Sequence, residues 1–163
     1  MLCSAVAAGL CAVGIDAIAL GLAATPSVGV MVRQLGCAGG VVVTASHNPI
    51  QYNGIKLLLG NGMAPPGETA EQIKQRFLDK HFDLVGSIGC GQTASNSQAD
   101  ETHIDKVLAI VDKAAVAAKG FKVVLDSVNG AGGAVTKRLL AELGCRVSAI
   151  NDEPTGLFAH APE

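Results

Sequence analysis

A short polar segment that directly follows a buried-strand pattern constrains this chain more than any other feature. Residues 39–49 read GGVVVTASHNP, an apolar run typical of a buried strand followed by a polar loop. Because unpaired polar groups are costly to bury, Ser46, His47 and Asn48 are expected to stay near water. Pro49 fixes its own φ and pushes the preceding residue into an extended conformation, which stiffens the loop. The pattern predicts a rigid loop at a strand end, a place suited to a functional site.

The composition indicates an α/β fold. Hydrophobic residues make up 49% of the chain and charged residues 16%, which excludes a disordered protein. Aromatic residues are only 3%, so the core must be aliphatic, as in a parallel sheet covered by helices. We predict a mixed, mostly parallel sheet with helices on both faces, followed by the start of a second, similar α/β domain.

Periodicity and turn signals place the individual elements. They predict helices over residues 1–13, 25–35, 68–80, 100–118 and 134–143, and strands over residues 15–20, 40–44, 55–59, 121–125 and 145–150. The first helix is expected to be a core helix, and the helix over 68–80 is expected to turn Ile73, Phe77 and Leu78 inward. Thr25 is the expected N-cap of the second helix. The strands over 15–20 and 40–44 are expected to form a right-handed parallel crossover.

A polar stretch divides the chain into two predicted domains. Residues 86–98 are rich in Gly, Ser, Gln and Asn, as in a surface loop between domains. We therefore predict one domain over residues 1–98 and the N-terminal part of a second over 99–163. The polar loop with Ser46, His47 and Asn48 lies in the first predicted domain. It follows the carboxyl end of the strand predicted over residues 40–44, and ligands bind at such strand ends in open α/β sheets.

The motif around Ser46 resembles a known family. TASHNP at 44–49, followed by YNGIK at 52–56, is similar to the active-site serine loop of the α-D-phosphohexomutases, which include phosphoglucomutase, phosphomannomutase and phosphoglucosamine mutase. Further segments resemble the opening of that family's second domain: KVVLD at 122–126, NGAG at 129–132 and EPTGLF at 153–158. The resemblance therefore spans most of the chain and is weakest over residues 60–100.

The resemblance implies a role for each residue of the loop. Ser46 would be the nucleophile and phosphoryl carrier, and one of its phosphoryl oxygens would bind Mg²⁺, the usual partner of phosphates. His47 would donate to the phosphoryl group or orient the loop, and Asn48 would shape the loop and, with Ser46, His47 and Lys56, bind the substrate phosphate. Lys56 would stabilise the transferring charge, or act as a general acid or base if it is buried. Each also has a purely structural alternative, as a turn residue or a solvated lysine.

The implied reaction interconverts the 1-phosphate and 6-phosphate of a hexose through a phosphoserine and a bisphosphate intermediate. Family members have four domains, so the chain is expected to be a fragment that is inactive alone, with the other metal ligands and the sugar-binding loops elsewhere. Two alternatives stay open: a non-catalytic phosphosugar-binding domain, and a serine hydrolase, which the missing Gly-x-Ser-x-Gly elbow disfavours. Which hexose is used is not determined by these residues.

Charge and cysteine usage limit the partners. The net charge of −2 and the low aromatic content argue against a nucleic-acid surface. The apolar N-terminal stretch lacks a basic flank and is interrupted by Gly14 and Asp16, so no membrane segment is expected. Five scattered cysteines fit reduced thiols in a cytoplasmic protein. Uncovered apolar faces also lead us to expect association between copies of the chain.

Overall fold

The computed structural model describes residues 1–162, and the α/β class is confirmed. The helices are α1 (Leu2–Ala12), α2 (Thr25–Gln34), α3 (Gly67–Leu78), α4 (Ala99–Leu108), α5 (Lys113–Lys119) and α6 (Gly133–Glu142), with a short 3₁₀ turn at Ser87–Gly89. The strands are β1 (Ala17–Ala19), β2 (Gly39–Thr44), β3 (Gly54–Leu59), β4 (Thr93–Ser95), β5 (Lys122–Asp126) and β6 (Arg146–Ile150).

The strands form three separate pairs. β1 pairs with β4 and β5 pairs with β6, both in parallel, whereas β2 and β3 form an antiparallel pair. The predicted crossover between the strands now called β1 and β2 is therefore wrong, since neither hydrogen-bonds to the other. The reason is local: β3 follows β2 closely along the chain and takes its edge, with Thr44 opposite Gly54 and Gly39 opposite Leu59.

β4 and the α4–α5 break were missed from the sequence. β4 lies inside the stretch predicted to be a loop, because Thr-Ala-Ser is short and polar and becomes a strand only by pairing with β1. The single helix predicted over 100–118 is two helices. The second is capped by Asp112, whose Oδ1 accepts a hydrogen bond from the Ala115 amide at 2.9 Å.

The buried core lies where α2 meets β2 and α4. Its most buried hydrophobic side chains are Met31, Val32, Val42, Ala99 and Ile104. Burial of a side chain as large as Met31 or Ile104 contributes about 1.5–3 kcal/mol. α2 also approaches the turn after β3 so closely that a Cβ on Gly29 would lie 2.7 Å from the Gly62 carbonyl oxygen. Glycine at position 29 therefore allows this helix to pack on the β2–β3 hairpin.

Three expectations about the helices were wrong. α1 contains no buried residue, so it is not a core helix. The inward face predicted for α3 is exposed, at 36% for Ile73, 70% for Phe77 and 58% for Leu78. Thr25 does not cap α2, because the helix begins one residue earlier, after Ala24, and has no side-chain cap. For α1 and α3 the pattern located the helix correctly but did not identify what covers it, and for α2 it misplaced the first helical residue by one.

Candidate active site at the serine loop

The polar loop between β2 and β3 is exposed, as the sequence predicted. Ser46, His47 and Asn48 are all exposed, and they follow the carboxyl end of β2 directly. Ser46 has a φ of 56°, in the left-handed region. For a residue other than glycine this conformation is unfavourable by roughly 1–2 kcal/mol. Such outliers cluster at functional sites, so the backbone itself marks Ser46 as a candidate.

Local hydrogen bonds hold the strained turn. The Ser46 amide donates to Thr44 Oγ1 at 2.9 Å. The Asn48 amide and its Nδ2 both donate to the Ala45 carbonyl oxygen, each at 3.0 Å. The Asn48 side chain is therefore used to shape the turn, and the Ser46 hydroxyl is left facing solvent.

Lys56 lies on the strand that leaves the loop. In the β2–β3 register it stands opposite Val42, two positions from the pair formed by Thr44 and Gly54. Because side chains alternate along a strand, Lys56 and Thr44 lie on the same face of the hairpin. Lys56 is exposed, so the burial that would favour a general acid or base is absent. Its ammonium group is suited to attracting negative charge at the loop.

A groove of about 420 Å³ lies beside the loop. Its lining comes from α1 and from the β2–β3 hairpin and consists of Leu2, Ala5, Val6, Val43, Asn53, Gly54 and Ile55. The volume is in the range of small-molecule pockets. The lining is nearly all apolar, so polar contacts to a ligand in this groove would have to come from the loop.

The loop by itself does not make a magnesium site. Its side chains offer a hydroxyl, an imidazole, an amide and an ammonium group, whereas Mg²⁺ prefers carboxylate, phosphate and water oxygens. Over residues 1–162 there is no group of three or more His, Cys, Asp or Glu side chains that could hold a metal ion. A phosphorylated Ser46 would supply one oxygen ligand, and the described residues supply no carboxylate set around it.

A serine–histidine pair occurs elsewhere but is unsuited to hydrolysis. Ser27 Oγ lies 2.9 Å from His103 Nδ1, beside a cavity of about 200 Å³ between α2, α4 and α6. Ser27 is fully buried, so a substrate cannot reach its hydroxyl. The pair instead satisfies a buried polar group where α2 packs on α4.

A second polar cluster, which the sequence analysis did not identify, lies at the ends of β5 and β6. Asp126 accepts hydrogen bonds from the Val128 amide, from Asn151 Nδ2 and from His160 Nε2. The bond from His160 is the main cause that lowers the pKa of Asp126 to about 2, with Val128 and Asn151 contributing. His160 is 34 positions away in sequence, and only its place after a predicted strand end could have suggested the contact.

No helix among the described residues has both the length and the apolar character needed to cross a membrane. The five cysteines are unpaired, with Cys3 and Cys90 exposed and the other three partly buried.

Comparison with known proteins agrees with the motif at the loop. Residues 1–83 match the family model of phosphoglucomutase/phosphomannomutase alpha/beta/alpha domain I, and residues 101–163 match that of domain II. The phosphoglucosamine mutase of Desulforamulus reducens is 37% identical over 99% of this chain and 36% of its own length. The phosphoglucomutase/phosphomannomutase of Thermococcus kodakarensis is also 37% identical, over all of this chain and 36% of its own.

A solved structure shows the same fold. The phosphoglucomutase/phosphomannomutase family protein of Burkholderia thailandensis superposes with a TM-score of 0.77 at 26% identity, over 98% of this chain and 34% of that one. The chain thus spans about a third of the length of the relatives it matches. With both domain models matched in order and the serine loop exposed at a strand end, this chain belongs to the phosphoglucomutase/phosphomannomutase family.

Proposed function

We propose that the intact protein interconverts the 1-phosphate and 6-phosphate of a hexose, with Ser46 as the phosphoryl carrier. The observation that supports this most is the exposed Ser46 hydroxyl, held at the end of β2 in a left-handed backbone conformation. A serine in this position can hold a phosphoryl group between two half-reactions. The relatives named as mutases support the same reaction class.

The reaction divides into two balanced transfers. In the first, a hydroxyl of the hexose monophosphate attacks the phosphorus on Ser46, the P–Oγ bond breaks, the hydroxyl proton ends on Ser46 Oγ, and a hexose bisphosphate forms. In the second, Ser46 Oγ attacks the other phosphate of that bisphosphate, the bond from phosphorus to the sugar oxygen breaks, and the Ser46 proton ends on that sugar oxygen. Positioning and charge stabilisation provide most of the catalysis in such transfers.

The remaining loop residues assist these steps in our proposal. Lys56 stabilises the negative charge of the transferring group, and His47 donates a hydrogen bond to a phosphoryl oxygen. Asn48 keeps the turn in shape through its two bonds to Ala45. Mg²⁺, when bound, would neutralise phosphate charge, and an oxygen of phosphorylated Ser46 would be one of its ligands.

We propose that residues 1–98 belong to a first domain and residues 99–163 to the start of a second. The serine loop belongs to the first domain. β4 extends that domain to at least residue 95, because it pairs with β1. We propose a cytoplasmic location for the intact enzyme, in keeping with the five unpaired cysteines of this chain.

The phosphoryl-carrier role is tested on the full-length enzyme. After incubation with a hexose 1,6-bisphosphate, intact-protein mass spectrometry should find one added phosphate, and Ser46→Ala should lack it. Ser87→Ala, which alters another exposed serine, is the matched control and should keep the phosphate. A phosphate that persists in Ser46→Ala would refute the assignment. The isolated 163-residue chain should show no measurable turnover.

The isolated chain is also proposed to associate with itself. β1 and β2 each pair with one neighbour only within the described structure, so each has an open edge. Ile18 on β1 and Ile55 on β3, the partner of β2, are 43% and 61% exposed. Open, apolar strand edges promote pairing between chains. Sedimentation velocity over a range of concentrations should show a dimer or larger species, and a monomer at every concentration would contradict this.

A further inference from the structure

The segment after β6 is bound across the end of the β5–β6 pair. We call residues 151–162 the strap. Asn129, in the turn after β5, contacts it three times: its amide donates to the Asn151 carbonyl at 2.7 Å, its Nδ2 donates to the Leu157 carbonyl at 2.9 Å, and its own carbonyl accepts from the Gly156 amide at 2.9 Å. The strap therefore runs across the carboxyl ends of two parallel strands, the edge where open α/β sheets bind ligands.

His160 fastens the far end of the strap to the strand end. Its Nε2 lies 2.8 Å from Asp126 Oδ2, and its Nδ1 lies 2.9 Å from the Ala161 carbonyl oxygen. Both partners are acceptors, because a carbonyl oxygen cannot donate and the Asp126 carboxylate already accepts two N–H bonds. Each ring nitrogen must therefore carry a proton to satisfy this geometry. Only the protonated imidazolium can make both bonds, and a neutral ring loses one of them.

We propose that the strap is a pH-sensitive closure of the β5–β6 strand ends, held shut by the contact between Asp126 and protonated His160 and opening as His160 loses its proton. Opening breaks the contact between His160 and Asp126 Oδ2, which leaves that carboxylate oxygen available at the strand end. The inference rests on the hydrogen bonds of this region and is independent of phosphoryl transfer at Ser46.

The direction of the pH dependence follows from the two partners. The bond to Asp126 raises the pKa of His160 above its ordinary 6.5, and the Ala161 carbonyl adds to this. The contribution of protonated His160 to closure is complete below about pH 6.5 and disappears as the pH rises through the raised pKa of His160. The pKa of Asp126 is lowered from 3.8 to about 2, so its contribution is complete above pH 3.8 and disappears as pH falls towards 2. The strap is tightest between about pH 4 and 6.5.

The other charged pair near the strap does not produce this change. Lys137 on α6 donates to Asp152, and this bond lowers the pKa of Asp152 below its ordinary value. Asp152 therefore stays ionised throughout the neutral range. The remaining groups that contact Asp126 are the Asn151 amide and the Val128 N–H, which do not titrate. His160 is thus the group in this cluster expected to titrate near neutral pH.

Amide hydrogen exchange measured by NMR tests the proposal on this chain. The reporter is the Gly156 amide, which the closed strap protects, and the reference is the Leu125 amide in the β5–β6 ladder. Both rates are corrected for intrinsic exchange. From about pH 6 to pH 8 the protection of Gly156 should fall about two- to fivefold, the range expected for an exposed ion pair, while that of Leu125 stays constant.

Three variants separate this closure from a general pH effect. His160→Gln keeps one hydrogen bond but cannot gain a proton, so the protection of Gly156 should become independent of pH. Asp126→Asn should behave in the same way. His81→Gln removes a histidine paired with Asp83 at 3.4 Å outside the strap, and it should keep the full wild-type decrease. A wild-type Gly156 amide that is unprotected at the lower pH, or equally protected at both pH values, would overturn the proposal. A His160→Gln variant in which the protection of Gly156 still falls between pH 6 and pH 8 would also overturn the proposal.

Discussion

Two loops leave the carboxyl ends of strands in this chain, and they are held in opposite ways. The serine loop after β2 carries left-handed Ser46, and hydrogen bonds to Thr44 and Ala45, inside the same segment, hold its turn. The turn after β5 carries left-handed Val128 and Asn129. The Ser127 amide ties it to the Ile150 carbonyl of β6, and Asn129 ties it to the strap. The first arrangement leaves the Ser46 side chain exposed, and the second holds its polar groups in hydrogen bonds.

This difference shows that backbone strain alone does not identify a reacting residue. Left-handed residues occur at both strand ends, but only at the first is the left-handed residue an exposed serine, a residue type that can act as a nucleophile. At the second, the strain positions the Asn129 amide, carbonyl and side chain to bind the strap. We therefore expect substitutions in the serine loop to change activity and substitutions in the second turn to change stability.

The largest expected effect is the loss of activity in Ser46→Ala of the full-length enzyme. Removal of the phosphoryl carrier should lower kcat by at least about a thousandfold, the scale seen when a nucleophile is deleted. The thermal midpoint should not fall, because the exposed Ser46 hydroxyl contributes no packing to the core. Turnover of a hexose 1-phosphate measures the first effect. A variant that keeps a substantial share of wild-type turnover would remove the functional contrast between the two loops.

A smaller effect, on stability, is expected for Asn129→Ala. Alanine loses the Nδ2 bond to Leu157 and is strained at the φ of 59°, so the free energy of unfolding should fall by about 1–2 kcal/mol. Asn129→Gly loses the same bond but accepts the positive φ, and it should recover about half of the loss. Urea denaturation measures both. Equal losses in the two variants would show that strain contributes little at this turn.

The smallest effect is expected for Thr44→Val. Valine has nearly the shape of threonine but removes the Oγ1 that accepts the Ser46 amide at 2.9 Å. The loop should hold its geometry less well, and kcat should fall about three- to tenfold, since loss of a hydrogen bond of about 1 kcal/mol changes a population by that factor. Thr44→Ser keeps the acceptor and should retain wild-type turnover. If the two variants behave alike, the hydroxyl does not position Ser46.

Much of the fold was predictable because its local signals agree with its tertiary structure. The strands β2, β3, β5 and β6 and the helix α2 appear where apolar runs and turn residues placed them. β4 was not predictable, because Thr-Ala-Ser has no strand character until β1 provides a partner. The exposed face of α3 was not predictable either, since periodicity shows which face is apolar but not what covers it.

The candidate site also has features that the sequence predicts and features that it does not. The exposure of Ser46 follows from the polarity of its own segment, so the sequence alone indicated it. Its left-handed φ depends on how Thr44 and Ala45 fold back, and no residue in the motif predicts that. The contact between Asp126 and His160 joins residues that lie 34 positions apart, on either side of α6 and β6, so no local sequence signal indicates it.

The left-handed φ of Ser46 also bears on which alcohol can occupy this position. Threonine has the same hydroxyl and could form the same phosphate ester, but its branched Cβ is poorly tolerated at positive φ. In a Ser46→Thr variant the new side chain would have to pull the turn into another conformation and move the oxygen away from its place beyond β2. The positive φ of the main chain at position 46 thus favours serine over threonine, although both residues carry a hydroxyl that could form the phosphate ester.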